Sequence, residues 1–131
     1  MMEKIKEHKH ALIKSFEYAA SGLRGIILQE RNFKIQLSIG ILAAILGFIV
    51  NLNISEWLDL VIVITLVLVF ELINTSIEEI VDLVSPQYQE KAKIAKDVAA
   101  GTVLVASVGS IIVGVLLFLP KILIFLSRGL M

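Results

Sequence analysis

Three long apolar runs, separated by short polar stretches, dominate this chain of 131 residues. The first is Ile35 to Val50, the second starts near Trp57 and continues to about Val84, and the third is Val98 to Leu119. A bilayer core of about 30 Å asks for about 20 helical residues at 1.5 Å each. The first run reaches that length by borrowing Arg31-Asn32-Phe33-Lys34, whose cations can snorkel toward headgroups. Trp57 is a typical interfacial anchor for the second run. Ser85-Pro86 should end that run, and Pro120 the third, since proline cannot continue a helix and restricts the residue before it. The pattern predicts membrane spans over about 31–51, 57–84 and 91–119. Ahead of them, at 100° per residue, Ile5, Leu12, Phe16, Ala19, Leu23 and Ile27 form one narrow stripe, with Lys14, Glu17 and Arg24 turned away and Lys9 discordant. A basic amphipathic helix of this kind, predicted over 3–27, lies in the plane of the interface. The fold expected is all-α and membrane-integral, a single domain over 1–131.

Composition sharpens that picture. Hydrophobic residues make up 57% and charged residues 18%, against about 45–50% and about 25% in soluble domains. A soluble fold could not cover so much apolar surface, and a disordered chain would be poorer in aliphatics. The absence of cysteine removes disulfide scaffolds, thiolate metal sites and cysteine nucleophiles, and both histidines precede residue 11. Net charge is zero, yet ten of the twelve cations fall on one side of a three-span topology, and Asn51 to Asp59 holds none. The positive-inside rule makes that side the cytoplasm, in the cell membrane. No basic stripe for nucleic acid is present, and the charged first thirty-four residues do not read as a signal peptide. Small residues four apart, at Gly40 with Ala44, Ala43 with Gly47, and Thr102, Ala106, Ser110, Gly114, predict close helix contacts.

The second run carries the chemistry. With Glu71 at 0°, Asn74 lies at about 300°, Glu78 at about 340° and Asp82 at about 20°, so four polar groups share one face. Glu79 falls off that face and reads as part of a solvated helix end. Glu71 lies about 21 Å along the helix from Trp57, still inside the leaflet. A charge at a helix centre costs at least ~2.5–3.5 kcal/mol, so an ionisable residue at that depth is functional by default. Folding the chain at Ser85-Pro86 places Lys96 level with Glu78, and Glu30 approaches from before the first span. Acidic oxygens of Glu30, Glu78 and Asp97 beside one lysine suit Mg²⁺ bound together with phosphate oxygens. No Gly-x-x-x-x-Gly-Lys-Ser/Thr loop and no Gly-x-Gly-x-x-Gly turn occurs, so neither a P-loop nor a Rossmann turn holds the nucleotide. The bare constellation also describes a small ion-coupled transporter.

The run Glu71-Leu72-Ile73-Asn74-Thr75-Ser76-Ile77-Glu78-x-x-Val81-Asp82, followed by Ala95-Lys96-Asp97, resembles the signature of the prokaryotic diacylglycerol kinase family. The resemblance extends from Gly22-Leu23-Arg24 to Leu119. It implies a homotrimer of three-span subunits, each with an interfacial helix, that phosphorylates a lipid alcohol with MgATP. It implies Glu71 as general base and Glu30 and Glu78 as metal ligands; Asn74, on the same helical face, then sits between base and metal, suited to orient either. Lys96 and Asp97 match ATP contacts, and Tyr18 and Gln87-Tyr88-Gln89 match segments lining the nucleotide. Arg24, Glu71 and Ala100 fall where relatives meet the lipid.

Glu30-Arg31-Asn32-Phe33, Glu56-Trp57, Lys96 to Gly101 and Phe118 to Lys121 resemble the undecaprenol kinase branch of that family. Diacylglycerol kinases of Gram-negative type usually carry Gly-Ser where this chain has Ala99-Ala100. Many relatives carry an arginine near the phosphates where this chain has Ala11, with Lys9 and Lys14 the nearby cations. Undecaprenol is therefore the expected acceptor, and diacylglycerol the alternative.

Overall fold

The computed structural model describes residues 2–129, with side chains from His10 to Ser127. Ile5, Lys9 and Arg128 thus have side chains outside the described residues. Four helices follow one another: α1 (Met2–Gln29), α2 (Arg31–Ile49), α3 (Ile54–Val84) and α4 (Glu90–Gly129). No strand occurs among the described residues. α2, α3 and α4 are each long and apolar enough to cross a membrane, with mean hydropathies of 1.7, 2.4 and 2.6 over their most apolar windows.

α1 stands apart from the others. Leu12, Phe16 and Leu23 of its apolar stripe are exposed, as on a helix that gives this face to the interface. Among the described side chains of α1, from His10 onward, only Gly25 and Ile26 near its C-terminal end are half-buried. A single extended residue, Glu30 (φ −81°, ψ 116°), separates α1 from α2. Lys34 Nζ donates to the Leu28 carbonyl at 2.7 Å, meeting one of the acceptors left over at the end of α1.

α2 and α3 run antiparallel in close contact because α2 has no side chain where they approach. A Cβ at Gly40 would lie 3.0 Å from Ile64 Cγ2, and one at Gly47 would lie 3.0 Å from Leu52 Cδ1 and 3.1 Å from Trp57 Cη2. The small-residue ladder on α4 behaves otherwise: a Cβ at Gly114 would meet nothing within 4 Å. Its hydroxyls turn onto their own helix, Thr102 to the Ala99 carbonyl at 2.6 Å and Ser110 to that of Ser107 at 2.8 Å.

The α2–α3 turn is short and fully used. Asn51 takes a left-handed conformation (φ 54°), which asparagine tolerates better than most residues. Asn53 then caps α3 through a reciprocal box: its Oδ1 accepts from Ser55 N at 2.9 Å and Glu56 N at 3.0 Å, while Glu56 Oε2 accepts from Asn53 N at 2.7 Å. This box starts α3 at Ile54, one turn ahead of the expected start near Trp57. Val50, Leu52 and Leu60 form the buried core here, with Leu117, Phe118 and Ile122 of α4 packed against them.

α3 and α4 make the most extensive pairing. Two ion pairs bracket it: Lys96 Nζ to Asp82 Oδ1 at 2.9 Å near the α3–α4 turn, and Lys121 Nζ to Glu56 Oε2 at 2.9 Å at the other end. The second pair bears on a correction. Pro120 does not stop the helix, which passes through it to Gly129. Proline forfeits one backbone hydrogen bond, a loss that apolar spanning helices absorb when neighbours hold the next turn. Here Lys121 is tied to Glu56 and Ile122 packs on the core.

The α2–α3 contact is the part of the fold most sensitive to volume. Gly40→Leu should lower the unfolding free energy by about 1–3 kcal/mol, since overpacking at a close approach forces backbone shifts. Denaturant titration in detergent micelles measures this, and an unchanged midpoint would contradict the contact.

Candidate active site

Buried polar residues are concentrated on one helix. Glu71 at 3% exposure, Asn74 at 6% and Thr75 at 7% are the buried polar side chains of the described residues, all on α3. Their spacing follows from the helical period, which sets 71, 74, 75 and 78 on one face. Glu78, the next member, is half-buried, while Glu79 and Asp82 are exposed.

Each of the three buried side chains makes one hydrogen bond. Gln36 of α2 donates from Nε2 to Glu71 Oε2 at 2.8 Å. Asn74 Nδ2 donates to Glu78 Oε1 at 3.0 Å, and Thr75 Oγ1 to the Glu71 carbonyl at 3.0 Å. Two acceptors, Gln36 Oε1 and Asn74 Oδ1, are buried without a partner among the described residues. The result is a polar file from Gln36 and Glu71 toward Glu78, enclosed by apolar helix.

Three spaces surround this file. An apolar cavity of about 460 Å³ lies between α2, α3 and α4, with Gln36 in its wall beside Gly40 and Val67. A second, of about 370 Å³ at the α3–α4 turn, is lined by Gln87, Tyr88, Gln89, Lys96 and Asp97, joining every nucleotide residue expected from α4 and its turn. A third, of about 410 Å³, brings Glu30 together with Gln29, Thr75, Ser76 and Glu79.

Some expected groupings are not made. Lys96 engages Asp82 through both carboxylate oxygens, at 2.9 and 3.0 Å, and not Glu78. A helical side chain leans toward the N-terminus of its helix, which on α4 means toward the turn, so Lys96 reaches one turn short of Glu78. Asp97 pairs with Lys93 at 3.2 Å, both well exposed, a contact of little energetic weight. Glu30 shares its cavity with Glu79, whereas Glu78 is held by Asn74. No group of three or more His, Asp or Glu side chains close enough to hold a metal occurs among the described residues. Tyr18 and Arg24 are exposed on α1. Ala99 is buried and Ala100 beside it is exposed.

Gln36 is the site residue that the apolar pattern concealed. It sits one residue into the first run, and an amide inside a spanning segment was the available signal.

Three helices long and apolar enough to cross a membrane, with a carboxylate buried within the second, define an integral membrane protein whose spanning region carries polar chemistry. The pattern of the prokaryotic diacylglycerol kinase family matches residues 17–118. The chain is 41% identical over 120 residues to the undecaprenol kinase of Bacillus subtilis (strain 168), covering 89% of this chain and 98% of that one. It is 40% identical over 113 residues to a diacylglycerol kinase of Synechocystis, covering 86% and 65%. To the diacylglycerol kinase of Escherichia coli (strain K12) it is 30% identical over 109 residues, covering 77% and 83%. The chain belongs to the prokaryotic diacylglycerol kinase family and is a lipid kinase. The transporter that the acidic face alone also allowed is set aside by this membership.

Proposed function

We propose that the chain transfers the γ-phosphate of ATP to the hydroxyl of undecaprenol, at the cytoplasmic face of the cell membrane and as a homotrimer. The observation that carries this reading is the Glu71 carboxylate, buried at 3% exposure within a spanning helix, with a cavity lined by Gln87, Tyr88, Gln89, Lys96 and Asp97 at the α3–α4 turn. The cytoplasmic placement rests on the ten cations that gather on the side of that turn. The choice of lipid rests on the Bacillus subtilis relative, which is named an undecaprenol kinase.

Phosphoryl transfer needs positioning and charge neutralisation more than covalent chemistry. Glu71 accepts the proton of the lipid hydroxyl as that oxygen bonds to the γ-phosphorus and the bond to the departing ADP breaks. Its place inside the leaflet brings the base to a hydroxyl that need not leave the membrane. Asn74, one turn on, orients Glu78 through its amide. Lys96 contributes a point charge beside the phosphates. Tyr18, Gln87, Tyr88, Gln89 and Asp97 contact the nucleotide in this reading, and Arg24 and Ala100 contact the lipid.

Glu30 and Glu78 would hold Mg²⁺ in this reading: carboxylates are hard oxygen ligands, and magnesium takes one or two of them when phosphates complete its shell. The structure seats Glu30 beside Glu79 and ties Glu78 to Asn74, so the two carboxylates are not brought together by the protein alone. Bound there, the ion would supply neutralisation of phosphate charge.

Three outcomes test this reading. Glu71→Gln keeps an acceptor for Gln36 but cannot take a proton, so kcat should fall by ~10²–10⁴ while MgATP affinity survives. Wild-type turnover in that variant would remove Glu71 as base. Glu30→Ala and Glu78→Ala should lose magnesium-dependent ATP binding in calorimetric titration, and normal binding by both would remove the metal assignment. With both lipids in the same micelles, kcat/KM should be higher for undecaprenol than for diacylglycerol. A site built around hydrogen bonds to ester carbonyls rejects an acceptor lacking them, and Ala99-Ala100 offers no side-chain donor. Ala100→Ser should narrow the gap. Equal or better use of diacylglycerol by the wild type would make that the substrate and leave the kinase intact.

A further inference from the structure

Gln36 has the properties of a working residue without a part in the reaction as described. It is an amide inside a spanning helix, where polar groups are costly and mark function. Its Nε2 donates to Glu71 Oε2 at 2.8 Å, across the α2–α3 contact. Its Oε1 is buried and unpaired among the described residues, as Asn74 Oδ1 is. Its one side-chain hydrogen bond among the described residues is thus the one that holds Glu71.

We propose that Gln36 is the positioning residue for the catalytic base: its amide fixes the Glu71 carboxylate so that Oε2 is occupied and Oε1 is left to accept the lipid hydroxyl. The inference rests on the reading of Glu71 as that base. Among the described residues only Oε2 receives a side-chain donor. The direction of the amide is set by chemistry, because a carboxylate accepts from the NH₂ end and repels the carbonyl end. Among the described residues no basic side chain is bonded to Glu71: Lys34 is turned to the Leu28 carbonyl and Lys96 to Asp82. A neutral donor holds the base in place without forming the ion pair that a lysine or arginine here would form. The close approach at Gly40, one turn along α2, sets the two helices near enough for this hydrogen bond.

The test is steady-state kinetics on the full chain in lipid nanodiscs, with MgATP and undecaprenol or diacylglycerol as acceptor. Gln36→Leu removes the donor and should lower kcat on the order of 10–100-fold, the usual result of misplacing a reacting group. KM for MgATP should stay within about twofold, because Gln36 lies away from the nucleotide cavity. Gln36→Glu, sharing one proton with Glu71, can donate again and should recover most of that loss. Gln36→Met, similar in shape and without a donor, replaces the leucine variant if the latter does not fold. Wild-type kcat in the leucine or methionine variant would overturn the assignment. So would a loss that Gln36→Glu does not recover, or one in which KM for MgATP rises in parallel, since a merely structural role predicts both. A wild-type chain inactive on both lipids would instead remove the reading of the site, and this assignment with it. An active wild type with unimpaired Gln36 variants removes the assignment alone.

Discussion

A carboxylate inside a spanning helix has to be held by its own protein, because hydrocarbon offers no hydrogen bonds. The Gln36–Glu71 contact meets that constraint, and much of the molecule serves it. α2 must carry its amide to within 2.8 Å of α3. It can do so because Gly40 and Gly47 let the two backbones approach where larger residues would collide. The α2–α3 turn then has to be tight, and Asn51 in a left-handed conformation with the Asn53–Glu56 capping box makes it so.

The same logic explains how α4 is fastened. Lys96–Asp82 and Lys121–Glu56 sit at the two ends of the α3–α4 pair. Between them α4 contributes small, self-satisfied residues and leaves an apolar cavity. Glu56 serves twice, closing the capping box and receiving Lys121, so the start of α3 and the turn after Pro120 are secured by one carboxylate. The polar file runs along one face of α3, joined by Gln36 of α2, with Glu30 and the α3–α4 turn lining the cavities near its end.

Much of this was legible in the chain, for physical reasons that differ by residue. The spans follow from apolar length, and the face through Glu71, Asn74 and Glu78 follows from the 3.6-residue period, because both are local. The start of α3 was legible too, in Asn53-x-x-Glu56, although Trp57 is the more conspicuous marker. Pro120 misleads because its local rule yields to tertiary contacts made by Lys121 and Ile122. The pairing of Lys96 with Asp82 depends on how a side chain leans, which residue spacing along two helices does not express. Gln36 is the hardest case. Any of several positions on α2 could face Glu71, and only the packed register selects one.

The central claim is that Glu71 is held, inside the membrane, by the Gln36 amide. Proton–deuterium exchange of the Gln36 side-chain amide, followed by NMR in lipid nanodiscs, measures that contact directly. A buried, hydrogen-bonded amide should exchange far more slowly than the exposed amides of Gln87 and Gln89, and its resonance should move on Glu71→Gln but not on Glu79→Gln. Exchange as fast as at Gln87, with no response to Glu71→Gln, would contradict the account.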